Sequence, residues 1–276
     1  MSHSYLQGKN AWVTGSSRGI GRAIAAALAE AGCNVALHGR NRTNLRTSGE
    51  GDDLNTVAEE MSHGPGGRVI AVCGELTRPE EVKRCADEIR AAFGSIDILV
   101  CNAGGGNLTG ELDFGGIPDG AADFDPDSLA KLNHNLLPTL FCCRECAPGM
   151  RRNHWGRILT IGSIAACGGI KTGGVGHVPY AVGKAAVQEY TRLLAAQLRH
   201  DGIPVNCIIP GNINTPSTRL RFGGDRETPR EGLSRLEHAG KPEDIAALAL
   251  FLCGPGGEYI SGQLIRVDGG EQTWPC

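Results

Sequence analysis

The sequence predicts a doubly wound α/β fold, a parallel sheet of about seven strands with helices on both faces. Short apolar runs alternate with longer helix-period segments along all 276 residues. That is the pattern of βαβ units joined by right-handed crossovers. A glycine-rich stretch, Thr14-Gly15-Ser16-Ser17-Arg18-Gly19-Ile20-Gly21, stands between the first apolar run and the first helix pattern. No internal repeat and no long linker divides the chain, so residues 1–276 are expected to form one domain.

Strands are expected near 10–14, 34–38, 68–73, 96–101, 157–161, 205–209 and 264–267, with helices between them. Asn10 to Thr14 is a short apolar run and Ile20 to Ala31 an alanine-rich helix, which puts the glycines at a strand-to-helix turn. This is the context a dinucleotide-binding loop requires. Gly15 permits the tight turn, while Gly19 and Gly21 let backbone and helix approach closely. The helix N-terminus offers unpaired N–H groups and a positive dipole to a pyrophosphate. Such a sheet is of the Rossmann kind. Three segments look inserted: Thr47 to Asp53, Gly104 to Pro126 and Asn214 to Glu237. The last two (near 104–126 and 214–237) follow the carboxyl ends of strands, where open α/β sheets bind ligands, and are the candidate substrate walls.

Composition narrows the function classes. A net charge of −3 and a pI near 6.2 give no basis for nucleic-acid binding, which wants a basic face. No apolar run approaches the ~20 residues of a membrane span. Met1 to Tyr5 lacks the basic start and apolar core of a signal peptide, so a soluble, cytoplasmic chain is expected. The 11 cysteines, an odd number without an export signal, argue against a disulfide framework. Cys143-Arg144-Glu145-Cys146 has redox-motif spacing, but it falls inside an expected helix, has no second pair for zinc, and reads as core packing. The eight histidines show no metal spacing, and no metal is expected. Asn41-Arg42-Thr43 and Asn107-Leu108-Thr109 match the glycosylation pattern, which has no meaning without secretion.

The chemistry-bearing motif is Tyr180-Ala181-Val182-Gly183-Lys184. Residues at i and i+4 share a helix face, so a helix from Pro179 to His200 places the Tyr180 hydroxyl and the Lys184 ammonium on one side. A free tyrosine titrates near ~10; a neighbouring ammonium favours the phenolate and brings it toward working pH. Taken alone, the pair is equally a surface tyrosine with a snorkelling lysine. His177, three residues before Tyr180, either lines the site or is a loop residue of no special role.

Seven motifs in order resemble the short-chain dehydrogenase/reductase family, over about Gly8 to Gly270. They are the glycine turn, Asn102-Ala103-Gly104 after a strand, Asn135 in the following helix, Ser163 beyond a strand end, the Tyr180 motif, Pro210-Gly211-Asn212-Ile213-Asn214-Thr215, and Val267-Asp268-Gly269-Gly270. The resemblance, to single-domain members of the 3-oxoacyl-acyl-carrier-protein-reductase kind, implies a catalytic tetrad. In it Tyr180 is the acid/base, Ser163 the carbonyl polariser, Lys184 a ligand of the nicotinamide ribose and tuner of Tyr180, and Asn135 the holder of a relay water. It also implies a cofactor bound by Gly15, Ser17, Arg18, Gly19, Ile20, Gly21 and Arg40 at one end. Glu75 and Leu76 flank the adenine; Asn102, Ala103, Gly104, Tyr180, Lys184, Pro210, Gly211, Ile213 and Thr215 bind the rest. The implied assembly is a homotetramer, with the helix after Asn135 and the Tyr180 helix as one interface and the last strand as another. Cys142, Cys143, Ala147 and Met150, with Ala185, Ala186, Leu193, Leu194 and Ala195, supply apolar surface for the first interface or, equally, an intrachain core.

Three departures stand out. Ser163 and Tyr180 lie 17 residues apart, a few more than usual, with the excess in Gly168 to His177. Glu75 replaces the usual aspartate beside the adenine. Pro138 stands where a glycine is common and is expected to kink or restart its helix.

The second strand ends Val35-Ala36-Leu37-His38-Gly39-Arg40, with no acid before Glu50. An NAD enzyme of this architecture wants an acid there for the ribose 2′-hydroxyl, whereas a 2′-phosphate wants arginine. NADP(H) is therefore expected, with Arg18 and Arg40 as the phosphate clamp; the alternative is that Arg40 and Arg42 are solvated surface charges. The presumed lid carries five arginines against Asp225, Glu227, Glu231 and Glu237, and reads as a solvated face. The Gly104 to Pro126 insertion carries Asp113, Asp119, Asp123 and Asp125, which suits a polar rim. The expected reaction is hydride transfer to or from a small or medium polar carbonyl, such as a 3-oxoacyl thioester, keto sugar or keto acid. An extended epimerase relative would carry an added C-terminal domain; a non-catalytic NADP(H)-sensing regulator or scaffold would not need all four tetrad positions.

Overall fold

The computed structural model describes residues 4–42, 53–62, 67–105, 126–167, 178–216, 218 and 234–273. Its strands are β1 (Asn10–Val13), β2 (Asn34–Gly39), β3 (Val69–Cys73), β4 (Ile98–Cys101), β5 (Arg157–Ile161), β6 (Val205–Pro210) and β7 (Leu264–Val267). Its helices are α1 (Gly19–Glu30), α2 (Leu54–Ser62), α3 (Pro79–Phe93), α4 (Pro126–Asn153), α5 (Val178–Leu198) and α6 (Pro242–Cys253). All strand pairs are parallel, in the order β3-β2-β1-β4-β5-β6-β7. Every expected strand is present, with ends displaced by at most two residues.

Alternation along each strand sends side chains to opposite faces, and both faces are covered. Ala11, Val13, Val35, Leu37, Ile98, Val100 and Leu159 meet α1, α2 and α6, which contribute Ile24, Leu28, Val57, Ile245 and Leu252. Trp12, Ala36, Leu99, Cys101 and Ile158 face the opposite way, onto α3, α4 and α5, where Val82, Ile89, Cys142, Met150 and Leu194 pack. Six of the nine residues offered for an interface or an intrachain core, Cys142, Cys143, Ala147, Met150, Leu194 and Ala195, belong to the chain's own core. Ala185 and Leu193 remain exposed.

Local signals set the helix ends. α3 opens with Pro79 at its first turn beside Glu80 and Glu81, and closes with Arg90 before Gly94, whose φ is +87°. Proline, acids, then a base and glycine is the order that helix termini and their dipole favour. α4 runs unbroken through Pro138 and Pro148, so Pro138 does not restart it. Residues 43–52, 106–125, 168–177, 217 and 219–233 lie outside the described residues, and with them most of the three inserted segments, His177 and four of the five lid arginines; the fifth, Arg235, pairs with Asp244 at 2.6 Å. No helix among the described residues is long and apolar enough to cross a membrane.

The chain order reverses between β1 and β4, which pair directly at Val13↔Val100. The crevice outside the carboxyl ends of these two strands is where an open sheet takes a ligand. Leu99, fully buried in β4 at this point, should cost roughly 2–5 kcal/mol when cut to alanine. Urea unfolding of Leu99→Ala measures it; an unchanged midpoint would contradict the packing described.

Candidate active site

The turn after β1 is fastened to the end of β4. The Thr14 hydroxyl donates to the Val100 carbonyl at 3.2 Å and accepts from the Asn102 and Ala103 N–H groups, both at 2.9 Å. Asn102 returns its amide Nδ2 to the Thr14 and Gly15 carbonyls at 3.0 and 2.8 Å. The turn lies so close that a Cβ on Gly21 would sit 2.4 Å from the Gly15 carbonyl oxygen and 2.5 Å from Asn102 Nδ2. Gly15 itself has φ +62°, open to glycine at little strain. The expected glycines, Asn102 and Ala103 are therefore one unit. Thr215 joins it, 3.4 Å from where a Gly19 Cβ would stand, so the segment after β6 reaches the N-terminus of α1.

His38 is the buried link between this turn and β3. The Gly15 N–H donates to His38 Nδ1 at 3.1 Å, which leaves the ring proton on Nε2, 3.0 Å from the Gly74 carbonyl. Ser16 Oγ accepts from the His38 N–H at 2.9 Å and donates to the Val13 carbonyl at 2.7 Å. Burial pulls the imidazole down to about 4, so it is neutral at physiological pH. At the surface end of the same strand, Arg40 Nε lies 3.1 Å from Glu75 Oε2. Arg18 caps α1 from an extended backbone.

The second half of the site hangs on α5. Lys184, 4 % exposed, extends its Nζ to the Ile161 carbonyl at 2.8 Å and lies 6.0 Å from the Tyr180 ring centroid. Burial pulls this ammonium down to about 8, against which the partial charge of nearby Cys207 and Cys101 acts. A Cβ on Gly104 would fall 2.9 Å from Asn135 Oδ1 and 3.6 Å from Lys184 Nζ, so the two side chains meet at the bare face of Gly104. Asn135 is itself fixed: Oδ1 accepts from the Gly105 N–H at 2.9 Å and Nδ2 donates to the Lys131 carbonyl at 2.9 Å. Ser163, two residues past β5, caps a 3-10 turn, Ile164–Ala166, its Oγ accepting from the Ala165 N–H at 3.2 Å. The hydroxyl proton is not used in that bond.

Four further residues hold these groups, and sequence reasoning missed them. Gln188, one turn beyond Lys184 on the same face, donates to the Ser163 carbonyl at 3.0 Å. The Tyr180, Lys184, Gln188 spacing of four was its signal. Thr218 accepts from the Thr215 N–H at 2.7 Å and donates to the Ile213 carbonyl at 2.8 Å. Gln272, beyond β7, donates to the Ile164 carbonyl at 3.0 Å and ties the chain end to the turn after Ser163. His38 is the fourth; the sequence offered it only as the absence of an acid.

The arrangement presents a cradle for a pyrophosphate at the α1 N-terminus, a cationic end at Arg40, and a buried cation, Lys184, near the Tyr180 ring. A dinucleotide running from β2 to β5 fits the residues present. Among the described residues no cluster of three or more His, Cys, Asp or Glu that could hold a metal ion occurs. Cys143 and Cys146 lie buried in α4, with Cys143 Sγ 3.8 Å from Cys101 Sγ.

A family model described as enoyl-(acyl carrier protein) reductase matches residues 15–272. The 3-oxoacyl-(acyl-carrier-protein) reductase of Aquifex aeolicus is 36% identical, over 96% of this chain and 98% of that protein. The 7alpha-hydroxysteroid dehydrogenase of Escherichia coli is 33% identical, over 96% and 94%. A crystal structure of a short chain dehydrogenase from Burkholderia cenocepacia in complex with NADP superposes with a TM-score of 0.73 at 32% identity, over 96% of this chain and 98% of that one.

His38 should make stability depend on acid. Its folded value of about 4 lies below the ordinary ~6.5, so the unfolded chain binds the proton more readily between them. Stability is full above ~6.5 and falls as pH drops toward 4, by on the order of 3 kcal/mol from this group alone. Urea midpoints measured from pH 7 to 4 should fall in wild type and fall less in His38→Gln; equal slopes would contradict the assignment.

Proposed function

Because the chain belongs to the short-chain dehydrogenase/reductase family, we propose that it moves a hydride between NADP(H) and a carbonyl or secondary alcohol, with Tyr180 as the acid/base. The observation that carries this is the dry Lys184 ammonium, one helical turn from Tyr180 and in the same pocket as Asn135. A helix lysine without a role in chemistry would extend to solvent.

The nicotinamide supplies or accepts the hydride at the carbonyl carbon. Tyr180 gives its hydroxyl proton to the substrate oxygen in reduction and takes it back in oxidation. Ser163 donates its free hydroxyl proton to the same oxygen, stabilising the charge that develops there. Lys184 holds a positive charge beneath Tyr180, which favours the phenolate, and offers its remaining N–H donors to the ribose. Asn135, held by Gly105 and Lys131, would carry the relay water to Lys184. Arg18 and Arg40 form the clamp for a 2′-phosphate, with Glu75 and Leu76 beside the adenine. Gly15, Ser17, Gly19, Ile20 and Gly21 cradle the pyrophosphate; Asn102, Ala103, Gly104, Pro210, Gly211, Ile213 and Thr215 line the remaining path.

The NADP(H) assignment is supported by the end of β2, which carries Arg40 and no acid, and by the relative bound to NADP. For substrate we favour a polar carbonyl, such as a 3-oxoacyl thioester or a keto sugar or acid, in keeping with the Aquifex relative rather than the steroid-named one. We also take the protein to be cytoplasmic and a homotetramer; exposed Leu129, Val182 and Leu193 on α4 and α5 are available to such an interface.

Tyr180→Phe should abolish turnover and leave NADPH binding nearly intact, while Ser163→Ala should lose on the order of 10²–10³ in rate. Lys184→Met should weaken both binding and turnover. NADPH should give the higher kcat/KM than NADH across a panel of β-ketoacyl thioesters, keto acids, sugars and apolar ketones. Single-turnover kinetics check the first two: a Tyr180→Phe enzyme retaining most of the wild-type rate would refute the mechanism. Equal or better use of NADH would refute the cofactor assignment, and a strong preference for large apolar ketones the substrate class.

A further inference from the structure

β2 and β3 leave the sheet together, with Gly39 paired to Cys73 and the Gly74 N–H donating to the Gly39 carbonyl at 3.1 Å. Arg40 and Glu75 therefore emerge side by side. Each oxygen of the Glu75 carboxylate has a partner: Oε1 accepts from the Thr77 N–H at 3.3 Å and hydroxyl at 3.0 Å, and Oε2 faces Arg40 Nε at 3.1 Å. The pair sits in an open depression of about 620 Å³ whose walls also carry Arg42, Arg78, Arg84 and Glu81. Arg84 is occupied by Glu81 at 2.7 Å and Arg42 by the Asn55 side chain at 2.7 Å. Arg40 is thus the cation at the mouth of β2 that meets a carboxylate head-on.

We propose that Glu75 is a specificity-determining residue that sets the balance between phosphorylated and unphosphorylated adenosine ribose by competing for Arg40. It rests on the assignment of Arg40 to a 2′-phosphate made above. A phosphate dianion seated on Arg40 stands next to the Glu75 carboxylate, and like charges at that range repel. The arginine must exchange one anion for the other, or hold both. Length matters here: the side chain of Glu75, one C–C bond (about 1.5 Å) longer than an aspartate, holds Thr77 with one oxygen and Arg40 with the other. Glutamate at this position is therefore what creates the competition. In the other direction, a carboxylate beside the ribose is an acceptor for a free 2′-hydroxyl, the service that an acid at the end of the second strand gives in NAD enzymes. Arg40 and Glu75 pull selectivity opposite ways, and both lie at the surface (49 % and 32 % exposed), so either can be altered without opening the core.

The test uses fragments that differ only in the 2′-phosphate, adenosine 2′,5′-bisphosphate and adenosine 5′-monophosphate, titrated calorimetrically into the full chain. Glu75→Gln, which keeps an oxygen for Thr77 and removes the charge, should tighten the bisphosphate roughly tenfold and leave the monophosphate unchanged or weaker. Arg40→Gln should weaken the bisphosphate by a similar factor and leave the monophosphate unchanged or tighter. A Glu75→Gln protein that binds the bisphosphate no better than wild type, while Arg40→Gln binds it worse, would overturn the competition and leave the NADP(H) assignment standing. A wild type that binds both fragments equally, with neither changed by Arg40→Gln, would overturn both.

Discussion

A lysine charge sealed between α5 and β5 is the interaction on which the rest of the site depends. Among the described residues Lys184 donates to the Ile161 carbonyl, and its depressed value of about 8 reflects how poorly burial suits an ammonium. The folded chain carries that penalty, on the order of 3 kcal/mol, at neutral pH. It fades as pH rises above 8 and is gone above the unfolded value near ~10.4. Nothing in the packing requires a cation here; a methionine would fill the space at lower cost. The charge is maintained by the contacts around it. Gln188 fixes the Ser163 carbonyl, Thr160 and Thr191 share a 2.7 Å hydroxyl contact, and these polar bonds lay one face of α5 along β5. That docking holds Lys184 against the end of β5 and ties the Ser163 backbone to α5.

The other half of the site depends on the switch point of the sheet. β1 is flanked by β2 and β4, so the glycine turn can be bonded on one side by His38 and on the other by Thr14 and Asn102. Neutral His38 is required, because a second ring proton would meet the Gly15 N–H in place of a lone pair. The crevice for a dinucleotide is thereby built before any ligand arrives, which lowers the ordering cost of binding.

Much of this was legible in the sequence. Period and composition placed all seven strands, because each is an apolar run bounded by glycine, proline or polar residues. Glycines at a strand-to-helix turn and a tyrosine four residues before a lysine located the two ends of the site. What escaped were groups whose role depends on residues distant in the chain. His38 reads as a polar residue ending a strand until Gly74, 36 residues on, supplies an acceptor. Gln188 has meaning only once Ser163 lies across from it, and Gln272 bonds a carbonyl 108 residues earlier. Arg40 was legible as a cation, but its glutamate partner lies on the next strand's exit. Pro138 shows the limit of local chemistry: it argued for a kink or a restart, and α4 does not restart at the buried Pro138.

The central claim is a charged lysine in a dry site, and the direct measurement is the titration of Lys184 itself. Carbon-13 NMR of the side-chain Cε in selectively labelled, cofactor-free protein, with Lys184→Met used to assign the resonance, gives that value without reference to activity. A midpoint near 8, well below those of the surface lysines, is predicted. A midpoint at the ordinary ~10.4 would mean a solvated ammonium and would contradict the account.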